Sequence, residues 1–124
     1  MRQENVVYFT GKEEELVNLL FKIGIKINIA KVLVFLAKTP MVTSRAIERG
    51  TDLRQPDVAI VMQFLKKQGW IKSQENKAKS KGRPVKNYEL AKPITEIING
   101  IEKEKMKEAN DQLQLFQKLQ NYVS

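Results

Sequence analysis

The stretch "TDLRQPDVAIVMQFLKKQGW", Thr51 to Trp70, decides how this chain folds. Gln55, Pro56 and Asp57 open a helix. Proline suits the first turn, where its missing N–H is not needed, and Asp57 faces the positive end of the helix dipole. Val58, Val61, Met62 and Leu65 then recur at i, i+3, i+4 and i+7, the spacing of a buried stripe. Gly69 is a natural C-terminal cap, so the helix is expected from Gln55 to about Lys67. A brief helix precedes it, capped by Thr43 or Ser44, running through Arg49 and closed by Gly50. After it, Trp70 to Gln74 and Pro84 to Leu90 each alternate as strands do. A polar, lysine-rich loop containing Gly82 lies between them, so the segment reads as a hairpin with a long tip.

Further upstream, "TGKE", Thr10 to Glu13, has the form of a capping box, opening a helix to about Lys22 that Gly24 ends. Leu16, Val17, Leu19, Leu20 and Ile23 recur along it at helical spacing. Before it, "VVYF", Val6 to Phe9, reads as an arm or a small edge strand. Asn28 can cap a second helix, Ile29 to Lys38, with Val32, Leu33, Phe35 and Leu36 as its buried stripe. Pro40 stops that helix, and Met41 and Val42 form a short extended link. Downstream, Pro93 to Ser124 reads as one long helix with two apolar seams. Ile94, Ile97, Ile98 and Ile101 form the first; Ala109, Leu113, Phe116, Leu119 and Val123 form the second. The charged run "EKEKMKE" between them prevents one continuous heptad register. The expected fold class is mainly α with a small β-hairpin (α+β): a winged helix-turn-helix with a long C-terminal helix. Residues 1–12 would be an N-terminal arm, 13–92 the winged domain and 93–124 the C-terminal helix.

At 124 residues and 42% hydrophobic content the chain suits one soluble domain with an appended element. It has no cysteine and no histidine, which excludes disulfides and thiolate metal sites and removes the commonest metal ligand and general base. Its carboxylates, such as Glu13, Glu14, Glu15, Glu102, Glu104, Glu108 and Asp111, lie in charged helical faces. No phosphate-cradling glycine loop and no serine elbow appears. The expectation is no enzyme, no catalytic residue, no metal and no cofactor. No apolar run is long enough to cross a membrane, and the N-terminus lacks the pattern of a secretion signal, so a cytoplasmic protein is expected. The net charge is +8, and the span Lys66 to Lys92 holds nine basic residues against two acidic ones, Glu75 and Glu89. So local a basic excess predicts an anionic partner.

The segment "TSRAIERGTDLRQPDVAIVMQFLKKQGWI" resembles the helix-turn-helix of MarR-type and TrmB-like winged-helix regulators, especially small archaeal ones. Leu53, Arg54, Gln55, Val58, Leu65 and Gly69 hold the corresponding places. "GRPVKNYEL", Gly82 to Leu90, is similar to the wing of TrmB-like regulators. The resemblance covers roughly Glu13 to Leu90. It implies sequence-dependent binding of double-stranded DNA and transcriptional regulation, usually as a dimer.

In such a protein the helix opened by Gln55 enters the major groove. Arg54 can address guanine and Gln55 adenine, and Gln63 lies on the same side as Pro56 and Ala59. Ala59 and Ile60 suit thymine methyl groups, whereas Phe64 suits packing against protein. Thr43, Ser44 and Arg45 sit at a helix start, where phosphate contact and plain capping are both open readings. On the wing, Lys77, Lys79, Lys81 and Lys86 would attract phosphate, and Arg83 can enter a narrow minor groove. The C-terminal helix either folds back onto its own core or pairs with a second copy. Its apolar content favours a homodimer through Ile94, Ile97, Ile98, Ile101, Ala109, Leu113, Phe116 and Leu119. A winged helix can instead serve as a protein-interaction or RNA-binding module in a transcription-related assembly. The apolar Ile60 and Phe64 are the residues that support that alternative.

Overall fold

The structure, a computed structural model, describes residues 9–76 and 85–124. The chain divides into two compact units, Met1–Lys92 and Pro93–Ser124.

In the first unit α1 spans Gly11–Lys22, so Gly11 and Lys12 belong to this helix and not to an arm. The capping box closes in both directions. Thr10 N–H donates to Glu13 Oε1 (2.9 Å), and Glu13 N–H donates to Thr10 Oγ1 (3.2 Å). Gly24, at φ 108°, then reverses the chain. Helix α2 spans Ile27–Lys38 and starts earlier than a cap at Asn28 would allow. The turn is already complete at Lys26, whose carbonyl accepts from Ala30 N–H at 2.9 Å, so Asn28 falls inside the first helical turn and caps nothing. Burial on α2 also exceeds the expected stripe: Ile29, Ala30 and the whole run Val32 to Leu36 are buried. Helices α1, α3 and α4 all pack on it, which makes it the centre of the unit.

Helix α3 spans Ser44–Thr51, capped by Thr43, whose Oγ1 accepts from Ala46 N–H at 3.2 Å. Gly50 does not close this helix. It lies within it, and Asp52, in the left-handed region at φ 59°, is the C-cap. Gly50 is needed for a different reason: a methyl group there would stand 2.6 Å from Phe35 Cζ, so the two helices meet only because the side chain is absent. The buried Thr51 hydroxyl donates to the Ile47 carbonyl at 2.6 Å and so keeps its polar atom paired inside the core. Helix α4 spans Gln55–Gln68, opened by Pro56 in its first turn and closed by Gly69 at φ 76°. Leu33, Ile47, Val58 and Leu65 are all fully buried in the core that these helices share.

Strands β1, Ile71–Asn76, and β2, Val85–Leu90, form an antiparallel pair in register from Ile71↔Leu90 to Asn76↔Val85. Trp70 belongs to the helix cap, not to the strand: its N–H returns to the Leu65 carbonyl at 3.0 Å. The extended link before α3 joins the hairpin as an isolated bridge. Val42 N–H donates to Tyr88 O (3.0 Å), and Tyr88 N–H donates to Val42 O (2.7 Å).

The second unit is α5, Ile94–Val123, which runs without interruption through Gly100 and Asn110. Ile97 and Ile101 are buried, at 1% and 5% exposure. Every residue from 102 onward is exposed.

Candidate nucleic-acid interface

The turn from Asp52 to Arg54 sets α4 against α3. Val58, Val61, Met62 and Leu65 face the core, which turns the rest of α4 outward. The outward surface has three parts. One border faces α3 and the hairpin across a shallow concavity of about 280 Å³. It brings together four of the expected site residues, Ser44, Gln55, Ala59 and Gln63, and adds Glu48, Lys66 and Tyr88. The crest of the helix carries Pro56 and Lys67, both exposed. The other border carries Asp57, Ile60 and Phe64. They line an apolar groove of about 510 Å³ with Ile25 of the α1–α2 turn and Ile27 and Ile29 of the first turn of α2. Phe64 also packs edge-on against Trp70, with ring centroids 5.9 Å apart. Ile60 therefore lies across the crest from Ala59, beside Phe64.

No protein-family model matches this chain, and no curated protein does either. Solved structures do. TrmBL2, an archaeal chromatin protein whose structure shows a novel mode of DNA binding, is similar at a TM-score of 0.70 and 16% identity. The match covers 90% of this chain and 40% of that one, so the chain spans well under half the length of TrmBL2. A MarR family transcription regulator is similar at a TM-score of 0.53 and 17% identity, over 90% of this chain and 78% of that one. The disulfide-formed AbfR follows at 0.50 and 19%, over 90% and 87%.

The fold is a winged helix-turn-helix. Within it the other expected residues are dispersed. Arg45 on α3, Arg54 at the N-cap of α4 and Lys86 on the wing's β2 are exposed and stand outside the concavity. Thr43 is committed to capping, since its oxygen holds the Ala46 amide. Lys77, Lys79, Lys81 and Arg83 lie outside the described residues. Of the wing's other cations, Lys72 is spent on Glu89, its partner across the strands, at 3.7 Å. Among the described residues, Arg45, Arg54, Lys66, Lys67 and Lys86 have no carboxylate within 4.0 Å and keep their charge for an external anion.

Beyond the expected set, and apart from the apolar Val58, Met62 and Ile71, the concavity holds Glu48, Lys66 and Tyr88. Lys66 follows Gln63 by three residues and Glu48 follows Ser44 by four, so helical spacing alone places both beside expected residues. Tyr88 has no such signal, because its position depends on the bridge to Val42. The described residues contain no cluster of three or more groups that could hold a metal ion, and no helix among them is long and apolar enough to cross a membrane.

Proposed function

We propose that this chain is a double-stranded DNA-binding transcriptional regulator that acts in the cytoplasm as a homodimer. Helix α4 enters the major groove, and the lysine-rich wing lies on the backbone or in the minor groove. The observation that carries this reading is the concavity between α3, α4 and the hairpin. It presents Ser44, Gln55, Ala59, Gln63 and Lys66 together. Around it, Arg45, Arg54, Lys67 and Lys86 have no carboxylate partner among the described residues. Polar amides at a helix face read base edges, and free cations around them meet phosphates. The DNA-binding mode of TrmBL2 and the regulatory role of the MarR family protein support the reading by likeness of fold.

Dimerisation rests on the second half of α5. Leu113, Phe116 and Leu119 are 63%, 59% and 59% exposed. With Ala109 and Val123 they form a continuous apolar stripe, which a soluble monomer rarely leaves uncovered. Ile97 and Ile101, by contrast, are already buried within the chain. The homodimer seam is thus Ala109 to Leu119, with Ile94 and Ile98 at its near end.

Titration of random-sequence duplex over a range of salt tests the function. Binding should be detectable at low salt, and log K should fall linearly with log salt. Lys77→Ala, Lys79→Ala and Lys81→Ala should each flatten the slope by about 0.9 for every phosphate left unneutralised, and should weaken all sequences alike. Absence of duplex binding at low salt would instead favour a protein-interaction module, for which the apolar groove of Ile25, Ile27, Ile60 and Phe64 is the supporting observation.

A further inference from the structure

We propose that α4 is built to read A·T base pairs, through adenine edges and thymine methyl groups; this deepens, and rests on, the DNA-binding reading above. Gln55, Ala59 and Gln63 stand at intervals of four residues, which puts them in one row along the helix. All three are exposed, and all three line the concavity facing α3 and the wing. At 1.5 Å per residue the row is about 12 Å long, or roughly three to four base-pair steps at 3.4 Å. Its chemistry is glutamine, methyl, glutamine.

A carboxamide offers a donor beside an acceptor, which matches adenine N6 and N7 in bidentate fashion. A methyl side chain matches the thymine 5-methyl group. Guanine offers two acceptors, O6 and N7, and wants arginine or lysine. Neither occurs within the row, from Gln55 to Leu65; Arg54 stands before it at the N-cap, outside the concavity, and Lys66 follows at its far end. The charge that α4 does carry in its first turn, on Asp57, stands on the opposite border, in the apolar groove.

The test uses the full chain and short duplexes of equal length at one fixed salt concentration, read by fluorescence anisotropy. A duplex of A·T pairs should bind on the order of tenfold or more tightly than one of G·C pairs, as one good bidentate contact discriminates. Replacing thymine by uracil removes only the 5-methyl group and should cost several-fold. Replacing adenine by 7-deazaadenine removes only N7 and should cost more. Gln55→Ala and Gln63→Ala should abolish the sensitivity to 7-deazaadenine and should weaken binding to the A·T duplex more than to the G·C duplex, so that the ratio of the two affinities falls.

Equal binding of the A·T and G·C duplexes would overturn the inference. So would an A·T preference that survives uracil, 7-deazaadenine and both glutamine substitutions, because the minor groove's width would then be the feature read. In both cases the DNA-binding reading stands. No binding to any duplex overturns that reading itself, and this inference with it.

Discussion

Single residues in this fold do work that depends on how far away their partners are. Gly50 is the sharpest case. Gly50→Ala drives a methyl group into the Phe35 ring, with Cζ at 2.6 Å and Cδ1 at 2.7 Å. Overpacking of that kind should cost about 1–3 kcal/mol, measured as a lower urea midpoint at unchanged m-value. Glu13 gives a prediction in pH. Its carboxylate accepts from the Thr10 amide and pairs with Lys38 Nζ at 3.2 Å; the amide bond foremost, and the lysine after it, hold its pKa below the ordinary 4.5. A depressed carboxylate stabilises the fold above its unfolded pKa, and that contribution is lost as the pH falls through the folded one. Thermal melts of Glu13→Gln should therefore lie below the parent at pH 7 and converge with it in acid, below about 4.5. A constant gap across that range would show that Glu13 acts without its charge. The capping box is legible in the sequence because all of its partners lie within four positions. The roles of Gly50 and Asn28 are not, because packing on α2 and the tightness of the α1–α2 turn decide them, and neither leaves a local mark.

Among the elements, the helices follow from apolar spacing, and the stripe Val58, Val61, Met62, Leu65 is buried as its period requires. Spacing marks the buried side of a helix but does not separate its two exposed borders. That is why Ala59 and Ile60, adjacent in sequence, look equivalent until α3 and the α1–α2 turn are in place on either side. The same limit applies to α5, where both seams look alike in sequence and yet differ in burial. The two halves of that helix should accordingly respond differently to substitution. Ile97→Ala should destabilise the fold by about 2–5 kcal/mol, as for a buried isoleucine, without a direct effect on self-association. The double change Phe116→Glu and Leu119→Glu should leave the melting temperature of the monomer nearly unchanged and, in sedimentation, halve the mass. A mass that stays the same would mean that this stripe is not the seam between copies.

For the molecule as a whole, charge and shape have been given to different parts. Seven units of the net +8 lie between Lys66 and Lys92, while α4 is neutral from Val58 to Leu65. This partition is visible in the order of the residues, and the segments Thr43 to Ile71 and Gly82 to Leu90 resemble those of winged-helix regulators. The concavity is not visible there, because it needs the hairpin's Tyr88 brought against α3, where a pair of backbone hydrogen bonds to Val42 ties the hairpin to the link before that helix. The Val42–Tyr88 bridge also has a mechanical consequence. It makes the root of the hairpin and the start of α3 one rigid lever, so a pull on β2 reaches Thr43, the capping residue of α3, across a single peptide unit. Amide exchange should reveal this: Val42 and Tyr88 should open together at one rate, and Thr43→Ala, by loosening the cap, should speed both. The bridge makes the wing's root a strain gauge for the helix beside it.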